Sequence, residues 1–568
     1  MRPPMYSPRH ATRAPLVLSA LSALFAVAAC APPAGAPDAA TDAMIDGAAT
    51  DATEREDAMI DGLVMDAPAS EAGERDGQAP LDASATDANA SDGPAQDAAT
   101  DAAITEGSLV PVAHPREFRA VWVATVYNLT YPTSSTLSTA ALRSELQALV
   151  DMAVNTGLNA IVFQIRPESD AVYRSSIEPW SRFLTGTQGR DPGLDPLETL
   201  ITLAHARAIE VHAWMNPYRG AADTRFTTAS NSVTRTLAAH AVRYNNAIVM
   251  DPGSPEVRAH IVRVVRDVAT RYALDGVHFD DYFYPYPDAM GTPFPDDARY
   301  ETYRAGGGTL AKADWRRDNV NRMIAETSEA ARAARPSVRF GVSPFGIYRP
   351  GMPAGIVGLD AYNVISCDPL AWVRAGSVDY LTPQLYWPTT QTAQSYNTLL
   401  PWWAEQTRGR AYLFAGNDIT RLGTGAWTVD ELRAQLRTTR ANRDRGALGN
   451  VFFQGRQLLR DTLGIASTLR REFYASPALP PPILAARGTV APPEATGSMG
   501  AIALRHASPD ALRAYALYRL NPSTRAWALD RIIPSSMSSP TGLPAGRWAV
   551  SAVARDDRES AGRVVDVR

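Results

Sequence analysis

Three aspartates stand where a reaction could be run. Asp280 and Asp281 lie inside Gly276-Val-His-Phe-Asp-Asp-Tyr-Phe-Tyr-Pro285, and Asp170 ends Gln164-Ile-Arg-Pro-Glu-Ser-Asp170. Two carboxylates flanking a glycosidic bond are the usual equipment for its hydrolysis. One protonates the leaving oxygen, and the other acts as nucleophile or activates water. Near the same segments stand aromatic residues whose flat faces suit sugar rings: Trp122, Trp214, Tyr218, Tyr282, Tyr386 and Trp387. Gln164, Arg166, Asn216, His278 and Gln384 add groups that can hold hydroxyls. Each carboxylate also has a structural alternative. Asp280 could pair with a barrel arginine such as Arg166, Asp281 could cap the following segment, and Asp170 could be an N-cap. His278 reads better as an interior hydrogen-bonding residue than as a proton shuttle. Other chemistries lack their residues. There is no His/Cys cluster at zinc spacing, no Gly-x-Ser-x-Gly elbow and no phosphate loop. Neither a metal nor a cofactor is expected.

The elements that must position these residues alternate in type. Eight short apolar runs read as strands: 118–126, 160–167, 210–216, 276–283, 339–345, 378–386, 411–417 and 450–454. Helical patterns lie between them, as at 139–155, 196–208, 255–272, 313–334 and 428–445. Eight such alternations predict an α/β fold, a (β/α)8 TIM barrel. A doubly wound open sheet is the alternative, disfavoured because no Gly-rich turn follows the first strand. Side-chain parity supports the barrel. Ile161, Phe163 and Ile165 oppose Val162, Gln164 and Arg166, and Val277 and Phe279 oppose His278 and Asp280. The polar parity should face the interior and gather at the C-terminal strand ends, where barrel enzymes place their sites.

Composition divides the rest. The chain has 568 residues and a net charge of −5, but residues 31–110 hold 18 Asp and Glu against 2 Arg. Residues 111–568 hold 42 acids and 50 bases, so the remaining body is mildly basic. Residues 1–29 carry Arg2, Arg9 and Arg13 ahead of an apolar run, the pattern of a secretory signal. Val27-Ala-Ala-Cys30 resembles a bacterial lipobox, which makes Cys30 the expected lipid-bearing residue and the membrane a partner through that lipid. Residues 30–112, rich in Ala and Asp, cannot bury enough apolar surface to order themselves and read as an acidic tether. Cys367 reads as a small buried residue. The barrel is expected over 113–475. After Pro477-Ala-Leu-Pro-Pro-Pro482, residues 476–568 show alternating strands at 515–519 and 547–553 and resemble a fibronectin type III module, a small β-sandwich.

Along the barrel the segments Glu117-Phe-Arg-Ala-Val-Trp122, Gln164–Asp170, Trp180-Ser181 and Asp195-Pro-Leu197 stand in order with others. These are His212-Ala-Trp-Met-Asn-Pro-Tyr-Arg219, Asp251-Pro-Gly253, Gly276–Pro285, Ser343-Pro-Phe-Gly346 and Asp379-Tyr-Leu-Thr-Pro-Gln-Leu-Tyr-Trp387. In this set the chain resembles the family 10 glycosyl-hydrolase-like envelope lipoproteins of bacteria. It departs from the family at Phe414-Ala-Gly-Asn-Asp-Ile419, where a more aromatic stretch is expected. The resemblance implies an exported, lipid-anchored glycosidase, at the outer membrane or cell surface, acting on polysaccharide and above all on peptidoglycan glycan strands. It carries over Asp170, Asp280 and Asp281 as catalytic candidates without fixed roles. A mildly basic body suits an anionic wall, and no nucleic-acid partner is expected. The alternatives are a catalytically inactive glycan-binding barrel and a transglycosylating enzyme on the same fold.

Overall fold

The computed structural model describes residues 104–288 and 290–568. Cys30, the signal segment before it and the acidic stretch to residue 103 lie outside the described residues.

Eight parallel strands close on themselves. They are β1 (Phe118–Val123), β2 (Ala160–Arg166), β3 (Glu210–Met215) and β4 (Gly276–Phe279). They continue with β5 (Arg339–Val342), β6 (Tyr380–Leu381), β7 (Tyr412–Asp418) and β8 (Ala447–Phe453). β8 pairs with β1 in the register Gly449 to Phe118, which closes the barrel and excludes the open sheet. The longer helices between strands are α1 (Thr139–Thr156), α2 (Pro196–His205), α3 (Pro255–Arg271) and α4 (Lys312–Ala334). They continue with α5 (Pro369–Ala375), α6 (Tyr396–Thr407) and α7 (Val429–Ala441). Three of them start alike. Asp195, Ser254 and Asp368 each accept a backbone N–H of the first turn, and a proline follows whose missing N–H costs nothing there.

Strand parity sorts the side chains as expected. Val121, Phe163, Val211, Val277, Phe340 and Leu413 face the helices in the main apolar core. The interior holds a second cluster with Phe118, Trp122, Trp214, Tyr380, Phe414 and Val451. Gly276 and Gly341 make room for two of the interior rings. A Cβ on Gly276 would stand 2.3 Å from His212 Nδ1, and one on Gly341 would stand 2.1 Å from the Tyr380 ring.

β6 is shorter than the run 378–386 predicts. Pro383 has no N–H to continue the ladder, although Gln384 still bridges to Phe345 and Gly416. A feature without a clear sequence signal follows β3. Residues Arg219–Ala221, Ala241–Tyr244 and Ala247–Met250 form a small antiparallel sheet beside the barrel mouth.

The C-terminal region is a β-sandwich. One sheet contains Leu512–Leu520, Trp527–Pro534, Gly546–Ala554 and Gly562–Val567, and its edge is Leu109–Val110, from the end of the expected tether. The other contains Glu494–Ser498 and Ala501–Arg505. Trp548, Leu517, Val550 and Ile502 fill the space between them. The proline-rich connection lies along the barrel. Its carbonyls at Pro480, Pro481 and Pro482 accept from Arg116, Arg339 and Tyr412 at 2.9, 2.6 and 2.7 Å. Among the described residues no helix is long and apolar enough to cross a membrane.

Candidate active site

β4 ends at Phe279, and the chain leaves the barrel through Asp280 and Asp281. Asp280 shares the interior parity of His278. Its Oδ2 accepts from Trp214 Nε1 at 2.9 Å and from Asn216 Nδ2 at 3.2 Å, both from the end of β3. Its Oδ1 is buried and has no hydrogen-bond partner. Burial pushes this carboxyl up to about 6, against the pull of Arg219 and the two donors. Asp281 is fully buried. Tyr286 donates to its Oδ2, while its Oδ1 is also without a partner. Burial, helped by the charge of Asp280, pushes Asp281 up to about 7 against the Tyr286 hydrogen bond.

A layer of rings supports this pair from below. Trp122 Nε1 donates to His278 Nε2 at 3.2 Å, so the His278 proton sits on Nδ1, 3.1 Å from the Tyr380 hydroxyl. That hydroxyl reaches His212 Nδ1 at 2.9 Å, and His212 Nε2 reaches Glu210 at 3.1 Å. Burial holds both histidines far below their ordinary value, so both are neutral. His278 is therefore an interior hydrogen-bonding residue.

Trp122, Trp214, Asp280, Asp281, Tyr282, Ser343, Gln384, Tyr386 and Phe453 line one narrow cavity of about 30 Å³. The structure thus brings together seven of the residues singled out by sequence, with Asn216 bonded to Asp280 and His278 beneath. Gln384 is held by donation to the Ser343 carbonyl at 3.0 Å. Tyr282 also lines a larger cleft of about 430 Å³, together with Tyr218, Tyr127 and Arg219.

Other sequence candidates lie outside that cavity. Asp170 is fully buried in the loop after β2, where it accepts from Glu168 N at 3.2 Å and Gln188 Nε2 at 3.4 Å. Burial and the adjacent Glu168 push it up to about 7. Arg166 does not pair with Asp280. It grips Glu178 at 2.6 Å and the carbonyls of Asn216 and Pro217 at 2.6 and 2.9 Å, which fixes the turn after β3. Gln164 Oε1 accepts from the backbone N–H groups of Thr125 and Val126, both at 2.9 Å, and so shapes the loop after β1. Trp387 packs edge-on against Phe345 with centroids 5.6 Å apart.

Ser343, Phe453, Tyr286 and Arg219 were not foreseen as site residues. Ser343 opens one of the segments that carry the family resemblance, Arg219 closes another, and Tyr286 follows a third. Phe453 lies at the end of β8 and carried no signal beyond its position.

The family model for glycosyl hydrolase-like 10 matches residues 117–427, which span β1 to β7 and contain all three aspartates. The chain belongs to this glycosyl hydrolase-like 10 family. It is 37% identical over 385 residues to glycosyl hydrolase YngK of Bacillus subtilis (strain 168), covering 64% of this chain and 73% of that protein. It is 38% identical over 320 residues to glycosyl hydrolase DigH of Escherichia coli (strain K12), covering 52% and 72%. Membership of the glycosyl hydrolase-like 10 family agrees with the site, where buried carboxylates meet aromatic walls at the C-terminal face of a barrel.

Proposed function

We propose that the protein is a glycosidase of the cell envelope that cuts the glycan strands of peptidoglycan. One observation carries this reading. Two consecutive buried carboxylates, each with an Oδ1 free of partners, stand at the end of β4 between Trp122, Trp214 and Tyr386. Their environments separate their roles. Trp214, Asn216 and the nearby Arg219 favour the anion at Asp280, which serves as the ionised carboxylate, either nucleophile or base. The charge on Asp280 then holds the proton on Asp281, which serves as general acid. The aromatic walls stack against the C–H faces of the sugar. Asp170 acts from a distance by holding the loop after β2. A lipid on Cys30 and the acidic segment after it tether the enzyme to its membrane, within reach of the wall.

The test is glycan-strand cleavage by the full-length protein, its Asp280→Asn and its Asp281→Asn. Wild type should release new reducing ends, and each variant should release almost none. A wild type that pulls down strands without cutting them would leave a binding protein in place of an enzyme.

A further inference from the structure

The barrel interior is mostly apolar, with Phe118, Val162, Phe414 and Val451 among its side chains. A polar line crosses it. It runs from Trp122 through His278, Tyr380 and His212 to Glu210, with links of 3.2, 3.1, 2.9 and 3.1 Å. The two ends fix the sense of every link. An indole N–H can only donate, so His278 Nε2 accepts and the His278 proton sits on Nδ1. Nδ1–H then donates to the Tyr380 oxygen, and the Tyr380 hydroxyl donates onward to His212 Nδ1. His212 therefore keeps its proton on Nε2 and donates to Glu210, which faces Arg339 and Arg513 at 3.9 and 3.7 Å. Two buried neutral histidines thus hold opposite tautomers, and the Tyr380 hydroxyl is the group that joins them.

The upper end of the line is the wall of the catalytic cavity. Trp122 lines that cavity, as does Ser343, whose hydroxyl lies 3.2 Å from His278 Nε2. The far edge of the indole fits over Gly416, where a Cβ would stand 3.1 Å from Trp122 Cη2. Tyr380 itself is not one of the cavity walls. Packing does not require its hydroxyl, since a phenylalanine would fill the same space beside Phe118 and Phe414. Hydrogen bonding does require it. Without the hydroxyl, His278 Nδ1–H has no acceptor, and buried donors left unpaired are costly. Moving that proton to Nε2 would set two N–H groups face to face at Trp122.

We propose that Tyr380 is a positioning residue for the reaction. By fixing the tautomer of His278, it fixes the set of the Trp122 ring in the wall of the site. The inference rests on the proposed glycosidase reading and goes beyond it, because it assigns a role to a group that never touches the substrate.

The tautomers are read first, by long-range magnetic-resonance correlation of ring nitrogens and protons in full-length wild type with isotope-labelled histidine. His278 should carry its proton on Nδ1 and His212 on Nε2. A His278 ring protonated on Nε2 cannot accept from Trp122, and the proposal would fall. Cleavage of glycan strands is then measured per folded molecule. Tyr380→Phe should lower kcat by about 10- to 100-fold, the scale of a misplaced substrate, and leave both limbs of the pH profile in place. Added to Trp122→Phe, it should cost no more than about twofold, because the ring it positions is already gone. His278→Gln keeps one donor and one acceptor, and it should stay about tenfold more active than His278→Leu. That pair tests the same line if Tyr380→Phe does not fold. Losses that multiply between Tyr380→Phe and Trp122→Phe, a moved pH limb, or equal activity of the two His278 variants would each overturn the positioning role. So would Tyr380→Phe activity within about twofold of an active wild type, and the glycosidase would then stand. A wild type that cuts no strand removes the glycosidase reading, and the role of Tyr380 with it.

Discussion

At the N-terminal end of the barrel, Glu210 and Asp557 are as deeply buried as Asp280 and Asp281 are at the other. The two pairs are handled in opposite ways. Asp557, from the C-terminal sandwich, bonds Arg339 through one oxygen and Arg513 through the other. Glu210 lies 3.9 and 3.7 Å from the same two arginines and accepts from His212. Two arginines therefore face two carboxylates, and the cluster joins the sandwich to the barrel. At the C-terminal face both Oδ1 atoms are left without a hydrogen bond, and the charge of Arg219 acts on Asp280 without an ion pair between them. Burial makes a charge costly at either end. The joint offsets that cost in part by ion pairing, with burial and the neighbouring Glu210 still pushing Asp557 up to about 7 against Arg513 and Arg339. The site has no ion pair among the described residues to offset it. Buried acids alone do not mark a catalytic centre here; acids with unspent oxygens do.

The largest expected effect separates the two ends. Asp280→Asn should lower cleavage by about 10²- to 10⁴-fold, the range of a lost acid–base group. Thermal melting should hold or rise. The sign follows from the shifts. Asp280 and Asp281 have folded values raised to about 6 and about 7. The stability each contributes is full below the ordinary carboxylate range and is lost as pH rises through those values. Asparagine does not ionise, so its advantage over wild type in melting temperature should grow between pH 4 and pH 7.5. A variant that melts well below wild type at neutral pH would show Asp280 to be structural and remove the contrast.

Asp557→Ala should do the reverse. It leaves Arg339 and Arg513 without their shared partner, and breaking a buried pair costs about 3–5 kcal/mol. Denaturant unfolding should register that loss, while cleavage per folded molecule should stay within about twofold. A loss under about 1 kcal/mol would mean that the cluster is not holding the joint.

These two ends were not equally legible from sequence. Strand parity exposed the C-terminal face, because polar residues interrupt apolar runs at Trp214, Asn216, Asp280 and Gln384. The joint is assembled from Glu210, Arg339, Arg513 and Asp557, each separated from the next by dozens of residues. No local pattern connects them. Asp170 stood out because it follows a strand, but its loop turns it into the protein among Glu168, Ser181 and Gln188. The strand pattern offers Arg166 to the sugar or, as the alternative, to Asp280, yet Glu178, twelve residues along, claims it. The missed wall with Arg219 depends on the small sheet after β3, whose strands are three or four residues long and too short for alternation to show.

The smallest effects test whether the site's two acids are tuned separately. With Asp280 ionised and Asp281 protonated in the active form, activity should rise through about 6 and fall through about 7. Trp214→Phe removes a donor that favours ionised Asp280. Its carboxyl should rise further, moving the acidic limb up by about one pH unit and narrowing the profile. Tyr286→Phe removes the donor to Asp281. That carboxyl should rise as well, but here the basic limb moves up, so the profile widens toward alkaline pH. The two substitutions both delete one hydrogen bond to one carboxylate, and pH–rate curves should tell them apart by which limb moves. If both moved the same limb, the acids would be sharing one titration, and the assignment of Asp280 as anion and Asp281 as acid would fail.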